Sequence, residues 1–347
     1  MNVLMIGPDR SVHGGISAVV NGYYEAGLDK KVNLSYIGTM KEGSKVYKLI
    51  VAAKAYLKFV SLIKKADVVH VNVASDNSFW RKAVFIKKAK KSGKPIIIHQ
   101  HGGEWNNFFT SLDGQNKEKV RNVLKSADKF LVLSPYYKDF FENIIGVKDV
   151  IVFPDTIGIP EKINKLHNGK RILFLGRLCK EKGIAELVEA VTELHDIYDD
   201  VELSLGGIWE DRSLEKSIDS CEFIKYLGWM DSSEKFEELS KADIFVMPSY
   251  FEGQSLAILE AMSMNCSIVA SNVGGIPMMI EDGITGILVE PKSAASLYEG
   301  IKKVIDDTSL ADSIAENAYN KALNEFNILH TVDEIVKMYE ELKDAVS

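Results

Sequence analysis

Short β-branched runs alternate with helix-like stretches along the chain, and this alternation limits the possible folds more than any other feature. The runs of the first half are NVLMIG, KADVVHVNV, PIIIHQ, DKFLVLS and DVIVFP. Those of the second half are RILFLG, VELSLGG, FIKYLGW, DIFVMP, CSIVAS and GILVE. Such alternation is typical of parallel sheets with helices on their faces. The sequence therefore predicts an α/β protein with two doubly wound, Rossmann-like domains.

An irregular stretch at residues 155–168, DTIGIPEKINKLHN, separates the two series and predicts a linker. We expect an N-terminal domain over 1–160, a second domain over 168–325, and a closing helix over 326–347 that packs back on the first domain. The length of 347 residues is sufficient for two domains. Because ligands of such sheets bind beyond the carboxyl ends of the strands, we expect the site in a cleft where the domains face each other.

Cysteine usage and hydropathy indicate a cytoplasmic protein. Cys179, Cys221 and Cys266 are too widely spaced for a metal or redox pair, which suits a reducing compartment. The chain opens on a strand-like run, so no signal peptide is expected. No segment has about twenty uncharged apolar residues, so no membrane-spanning helix is expected.

Positive charge is concentrated between Lys41 and Lys91. This stretch has 13 basic and 3 acidic residues, a net charge of +10, so the remainder carries −17 of the total of −7. Lys45–Lys65 and Arg81–Lys91 combine lysines with apolar residues, which leaves two interpretations. They lie on an anionic membrane surface, peripheral to the inner face of the cell membrane, or they are core helices with solvated lysine faces. No nucleic-acid motif accompanies the charge, so no nucleic-acid partner is expected.

Two loops that follow predicted strands have residues suited to a phosphate. Arg177 and Lys182 flank the turn after RILFLG, and two cations near a helix start suit a diphosphate, although they can also be ordinary surface charges. Gly14 and Gly15 follow the first strand and allow a ligand to approach the backbone closely. Because the spacing is not GxGxxG, this loop gives little support for a dinucleotide.

The third predicted strand ends in HQHGG, with histidines at 99 and 101. We expect their rings to point to opposite faces, with His101 closer to the glycine turn and the cleft. A lone histidine is more often structural, and the position at a strand end makes a functional role equally plausible.

The segment FEGQSLAILE places Glu252 in a loop and Glu260 on the apolar side of a helix that starts near Gln254 or Ser255. Carboxylates in such places need partners. The first helical amides are free donors for sugar or phosphate oxygens. Eight helical residues rise about 12 Å, which suits two hydroxyl-bearing rings on either side of a diphosphate. The alternative is a structural pair of carboxylates.

The segment Met247–Pro291 resembles the donor-binding signature of the retaining GT-B glycosyltransferases of family 4, glycosyl transferases group 1, with Glu252 and Glu260 as its E-x7-E motif. Further motifs follow in family order. GRLCKEKG at 176–183 is similar to the family's arginine–lysine loop, HGG at 13–15 to its glycine loop, and HQHGG supplies its histidine, His101. One departure is Asp155-Thr156, where family members often have an Asn-Gly turn.

The resemblance implies a role for each matching residue. The catalytic residues would be Glu252 at the transferred sugar, Arg177 and Lys182 at the diphosphate, and His101 near the reacting face. Residues implied in donor binding are Gly14, Gly15, Gly253, Gln254, Ser255, Leu256, Glu260, Gly207 and Gly228, with Glu260 accepting from the ribose hydroxyls.

The resemblance also implies the reaction. A UDP-sugar or GDP-sugar bound to the second domain would donate a hexose, with retention, to a hydroxyl of a lipid-linked or oligosaccharide acceptor bound to the first. The expected pathway is synthesis of a bacterial surface polysaccharide or glycolipid. No cofactor is expected and no metal ion, since Asp-x-Asp is absent from the sequence and two cations can stabilise the leaving group. The alternatives are a sugar-nucleotide 2-epimerase of the same fold and a non-catalytic sugar-nucleotide-binding partner.

Overall fold

The computed structural model describes residues 1–165, 170–215, 218 and 221–345. The chain divides into two compact units. The N-terminal unit comprises Met1–Gly158 and Ile328–Ser347, and the C-terminal unit comprises Ile159–Asn327. The end of the predicted linker, at 166–168, and the predicted start of the second domain at 168 lie outside the described residues.

The N-terminal unit is built on a six-stranded parallel sheet with the order β2-β1-β3-β4-β5-β6. The order reverses direction between β1 and β3, and this switch point is where open α/β sheets bind ligands. Strand β2 was not predicted from the sequence, because NLSYIG mixes polar and apolar residues and only Ile37 of it is fully buried. The strands are β1 Asn2–Gly7, β2 Asn33–Gly38, β3 Val68–Val73, β4 Ile96–Gln100, β5 Lys129–Val132 and β6 Val150–Val152.

Helices connect these strands, and the last helix of the chain returns to this unit. Its Thr331 accepts a hydrogen bond of 2.9 Å from the buried Thr156 hydroxyl, and Tyr339 lies 2.6 Å from Nδ1 of the buried His70. The helices of the unit are α1 Gly15–Glu25, α2 Leu28–Lys31, α3 Lys45–Leu62, α4 Asp76–Lys91, α5 Trp105–Ser111, α6 Gly114–Leu124, α7 Pro135–Asp139 and the C-terminal helix Ile328–Asp344.

The C-terminal unit has a second six-stranded parallel sheet, with the order β12-β11-β10-β7-β8-β9 and its switch point between β7 and β10. The doubly wound α/β class predicted from the sequence is therefore confirmed. The strands are β7 Arg171–Leu175, β8 Glu202–Gly206, β9 Ile224–Gly228, β10 Ile244–Met247, β11 Ser267–Ser271 and β12 Ile287–Val289. The helices are α8 Ile184–His195, α9 Ser232–Lys241, α10 Leu256–Ser263, α11 Ile276–Met279, α12 Ala294–Asp306 and α13 Thr308–Glu325; the C-terminal helix Ile328–Asp344 is α14.

The two basic segments differ in burial. Helix α3 buries only Ala55 and Phe59, so the interpretation of a core helix is wrong for it. Helix α4 buries six residues on the core side, and one of these is Lys82, so its lysines are not all solvated. Among the described residues, no helix combines the length and apolarity needed to cross a bilayer.

Lys82 gives a test of the packing of α4. Its side chain is 1% exposed, and burial, followed by the charge of Arg81, lowers its pKa from 10.5 to about 7. Between these values the unfolded chain binds the additional proton, so Lys82 makes wild-type stability rise with pH. We expect Lys82→Met to raise the free energy of unfolding at pH 7 by about 2 kcal/mol, a gain that shrinks toward pH 10.

Urea unfolding of both proteins at pH 6, 7, 8, 9 and 10 measures this difference. Lys87→Met, at an exposed position of the same helix, is the matched control and should show no such pH-dependent gain. If Lys82→Met raises the free energy of unfolding equally at all pH values, the lowered pKa of the buried Lys82 is contradicted.

Candidate functional site

The loops after β7 and β10 hold most of the charged candidates, because these neighbouring strands flank the switch point of the C-terminal sheet. Arg177 and Lys182 follow β7, and Glu252 follows β10. Helix α10 begins at Leu256, and Ser255 caps it by accepting from the Ile258 amide at 3.4 Å. Glu252 lies outside the helix, so the rise of about 12 Å expected for eight helical residues does not apply.

Glu252 and Lys182 form an ion pair, with both side chains mostly buried at 12% and 17% exposure. The Ser249 hydroxyl donates a second hydrogen bond to the same carboxylate oxygen at 3.0 Å. Two predicted residues from different loops are thus brought together, with one carboxylate and one ammonium group at the ends of adjacent strands.

Two glycines allow this close approach of the loops. Gly183, beside Lys182, has φ +70, and a side chain there would lie 2.1 Å from the Pro248 carbonyl oxygen. Gly274 has φ +55, and a side chain there would lie 2.0 Å from the carbonyl oxygen of Glu252. The backbone at both positions therefore requires glycine.

Glu260 is paired with Lys235 of helix α9, with the two side chains 14% and 29% exposed. The carboxylate has one ammonium partner, and its other oxygen has lone pairs that a ligand hydroxyl can use. Lys235 was not predicted from the sequence.

Arg177 lies at the rim of this group, and Glu210 accepts hydrogen bonds from its Nη1 through both carboxylate oxygens, at 3.1 and 2.9 Å. Burial lowers the pKa of Arg177, but the hydrogen bonds and charge of Glu210, with smaller contributions from Cys179 and Glu252, raise it on balance. Arg177 is thus within electrostatic reach of Glu252. Any diphosphate that binds Arg177 has to compete with Glu210.

Gly207 and Gly228 lie at the ends of β8 and β9 and are joined by a hydrogen bond of 2.7 Å from the Gly207 amide to the Gly228 carbonyl. The Tyr226 hydroxyl also donates to the Gly207 carbonyl at 3.0 Å. Ile208 and Trp229 beside them are each 49% exposed. This edge therefore offers flat apolar surface next to backbone amides.

In the N-terminal unit, Gly14 and Gly15 form the turn into helix α1 after β1. Gly14 caps the helix without a side chain, and a side chain built there would meet no atom within 4 Å. The turn is open, so a ligand can approach its backbone closely.

His101 follows β4 and is held at both ring nitrogens. Nδ1 lies 2.8 Å from Oδ1 of Asp155, and Nε2 lies 2.8 Å from Oδ1 of Asn72. The Asn72 amide group donates to the Ile6 carbonyl at 3.1 Å, so its oxygen faces the histidine as an acceptor. Both ring nitrogens of His101 therefore face side-chain oxygens. Asp155, which departs from the family pattern, is this histidine's buried carboxyl partner.

His99 lies beside His101 with their ring centroids 3.9 Å apart, so the expectation of opposite faces is wrong. Residues two apart in a strand share a face. Burial, followed by the charge of His101, holds the pKa of His99 well below its ordinary value and lowers the pKa of His70 to about 3. His99, His101 and Asp155 have ligand atoms within 4.8 Å of one another, the only such metal-type group in the described ranges. To bind an ion, His101 would have to release Asn72 or Asp155.

Comparisons with known proteins agree with this arrangement. Residues 156–321 match the family model described as "Glycosyl transferases group 1". An uncharacterized glycosyltransferase of Methanocaldococcus jannaschii is 29% identical over 279 residues, which is 74% of this chain and 70% of that protein. The UDP-Gal:alpha-D-GlcNAc-diphosphoundecaprenol alpha-1,3-galactosyltransferase of Escherichia coli is 26% identical over 345 residues, covering 90% and 84%. This chain is a glycosyltransferase.

The glycosyltransferase has the GT-B fold. It superposes on sucrose-phosphate synthase from Thermosynechococcus elongatus with a TM-score of 0.82 over 99% of both chains, at 18% sequence identity. At this identity the likeness shows the fold alone. The resemblance inferred from the four motifs is confirmed at the level of fold and enzyme class.

Sequence reasoning missed several partners in the glycosyltransferase. Glu210 and Lys235 lie 33 and 25 residues from the charges that they pair with, so no local motif indicates them. Gly274 could have been found, because NVGGIP contains a glycine pair at a strand end. In chemical terms the C-terminal unit holds two cations, Arg177 and Lys182, and two carboxylates, Glu252 and Glu260, each in an ion pair.

Proposed function

We propose that the chain is a retaining, metal-independent hexosyltransferase of family 4. The donor is a UDP-sugar or a GDP-sugar, and the acceptor is a hydroxyl group of a lipid-linked glycan. The product belongs to a bacterial surface polysaccharide or glycolipid. The observation that carries the proposal is the pairing of Lys182 with Glu252 at the switch point of the C-terminal sheet.

The donor-binding roles follow from charge and position. Lys182 and Arg177 bind the diphosphate, and the Arg177 contact replaces the exposed pair with Glu210. Glu252 accepts from hydroxyl groups of the transferred sugar. Glu260 accepts from the ribose hydroxyls, while Lys235 offsets its charge. The amides at the start of α10, from Gly253 to Leu256, donate to sugar and phosphate oxygens.

The transfer step needs no enzyme nucleophile. The bond between the anomeric carbon and the phosphate oxygen breaks, and the acceptor oxygen forms a new bond to that carbon from the same face. The acceptor's proton passes to an oxygen of the released nucleoside diphosphate. Lys182 and Arg177 stabilise the negative charge that develops on this leaving group, which is the main electrostatic requirement of the step.

The acceptor class is proposed from the Escherichia coli relative, whose name specifies a diphosphoundecaprenol-linked acceptor. Helix α3 supports contact with a membrane. Its outer stripe includes Val46, Leu49, Leu57 and Val60, which are 67%, 71%, 70% and 37% exposed. Lysines of Lys45–Lys65 and Arg81–Lys91 would add attraction to anionic lipids. We propose that the protein is peripheral on the inner face of the cell membrane.

Calorimetric titration of UDP and GDP, in EDTA, tests the donor site. We expect one nucleotide to bind the wild type without metal. Glu260→Ala should lower the affinity for that nucleotide by about 10–100-fold, because a charged hydrogen-bond acceptor for the ribose is lost. Glu237→Ala, an exposed glutamate paired with Lys241 on helix α9, is the control and should bind normally.

The possible outcomes distinguish between the proposed function and its alternatives. Binding that appears only after magnesium is added would contradict metal independence. If neither nucleotide binds with or without magnesium, the assigned donor site is wrong. If a nucleotide binds but its sugar derivative is never turned over with any lipid-linked acceptor, the alternative of a non-catalytic sugar-nucleotide-binding partner is favoured.

A further inference from the structure

A groove of about 530 Å³ lies in the N-terminal unit, at the carboxyl ends of β1 and β2 and against helix α3. This volume is in the range of about 300–1,000 Å³ that is typical of small-molecule sites. The groove borders the loop after β1, five residues before the glycine pair Gly14-Gly15. It therefore opens at the same edge of the sheet as the expected donor contact.

One side of the groove is apolar. Tyr36 and Ile37 of β2 and Ile50, Val51 and Ala55 of α3 line it. Ile50 remains 47% exposed. Ile50 lies four residues after Val46 and seven before Leu57, at the edge of the outer stripe, whereas Val51 and Ala55 lie farther around the helix. The apolar side of the groove is therefore continuous with the outer stripe of helix α3 through Ile50.

The other groups of the groove are mostly cationic. Arg10, Lys41, Lys54 and Lys58 line it together with one carboxylate, Asp9. Asp9 is paired with Lys41 at 3.3 Å, and the Arg10 guanidinium stacks on Tyr24 at 3.7 Å from the ring centroid. Lys58 makes only a long contact of 3.4 Å with the Tyr36 carbonyl. Lys54 forms no ion pair with any residue that the structure describes.

A ligand that satisfies both sides must join a hydrocarbon chain to a multiply charged anion. A free nucleotide or sugar phosphate lacks the hydrocarbon, and a neutral lipid lacks the charge. Four cations against one carboxylate leave a net charge of +3 for the anionic group. Phosphate oxygens are the usual partners of such lysine and arginine clusters.

We propose that this groove binds the phosphate-bearing isoprenoid end of the lipid-linked acceptor. The diphosphate lies against Lys54, Lys58 and Arg10, and the first isoprene units lie along Ile50 and Val51. This inference rests on the proposed function, since it names the place where the acceptor of that reaction is held. Entry from the outer stripe of α3 would let the lipid remain in the membrane while its sugar reaches the site.

The test uses farnesyl diphosphate, kept below its micelle concentration, titrated into the full chain. We expect binding to the wild type, with farnesol and inorganic diphosphate each weaker by about tenfold or more. Lys54→Glu/Lys58→Glu, at two exposed positions, should lower the affinity for farnesyl diphosphate by about tenfold or more. Leu49→Ser/Leu57→Ser on the outer stripe should leave this affinity unchanged and lower binding to anionic phosphatidylglycerol vesicles.

The outcomes separate the groove from the donor site. The proposal that the groove binds the lipid diphosphate would be overturned by either of two results. One is equal affinity of the wild type and the lysine double variant for farnesyl diphosphate, and the other is farnesol that binds as tightly as farnesyl diphosphate. The proposal would also be overturned by a loss of farnesyl diphosphate binding in the Leu49→Ser/Leu57→Ser variant alone, which would place the lipid on the outer stripe. Titration of UDP and GDP into the same proteins reports on the proposed function by itself. Nucleotide binding without farnesyl diphosphate binding would contradict the role of the groove and leave the proposed donor site intact.

Discussion

Lys182→Met is expected to lower kcat/KM for sugar transfer by about 10²–10³-fold, the typical cost of removing one group that stabilises developing charge. Lys182 is the ion-pair partner of Glu252, the carboxylate that we propose binds the sugar, and its side chain is only 17% exposed. Removing it deprives the leaving diphosphate of a positive charge in a partly dehydrated site. It also leaves Glu252 without its ion-pair partner, which further disfavours an anionic donor.

A control close in the chain separates this effect from a change in the loop. Lys180→Met lies in the same turn, Lys180–Lys182, at an exposed position, and should transfer sugar at the wild-type rate. Initial rates with a radiolabelled nucleotide sugar measure both variants, and thermal melting checks their folding. A folded Lys182→Met protein with a rate within about threefold of the wild type would contradict the role given to Lys182.

The sequence was most informative where a function is encoded in one continuous segment. Glu252 and Glu260 lie in a single loop and helix, so their spacing is visible without any knowledge of tertiary structure. Their counter-ions, Lys182 and Lys235, differ in how clearly the sequence indicates them. Lys182 could be predicted because its loop has its own motif, whereas Lys235 comes from a helix with an ordinary polar surface pattern.

Burial was harder to predict than secondary structure. Helix α3 has an apolar pattern that suits a core helix, yet only Ala55 and Phe59 are buried. Strand β2 has the opposite problem, since NLSYIG mixes polar and apolar residues unlike the other strand-like runs, yet it pairs along its whole length with β1. In both cases the neighbouring elements decide burial, and a single sequence does not specify which neighbours an element has.

Asp155 shows how a departure from a family pattern can be resolved by structure. The turn that follows β6 has an aspartate where the expected family pattern has asparagine, and an isolated buried carboxylate would be costly. The structure places it against Nδ1 of His101 at 2.8 Å. The aspartate and the histidine therefore form a buried hydrogen-bonded pair, and neither residue can be interpreted without the other.

Asp155→Ala is expected to lower the free energy of unfolding of the N-terminal unit by about 3–5 kcal/mol, as is typical when one partner of a buried pair is removed. Asp155 is 4% exposed and His101 is 8% exposed, so the pair lies away from bulk solvent and the histidine would lose a buried partner. Urea unfolding followed by tryptophan fluorescence, to which the buried Trp105 of the same unit contributes, measures the loss. Asp139→Ala, on the same unit's α7, is the control and should change stability little.

Asp155→Asn should restore most of this stability, because an asparagine side chain fills nearly the same volume and can still form a hydrogen bond with the ring. In the wild type, one oxygen of Asp155 and the side-chain oxygen of Asn72 face the two ring nitrogens of His101. The amide group of an asparagine can either accept from the ring through its oxygen or donate to the ring through its NH₂ group. Urea unfolding of Asp155→Ala and Asp155→Asn under the same conditions measures the difference. Equal stability of the two variants would mean that the hydrogen bond to the ring contributes little, and that His101 is positioned by Asn72 alone.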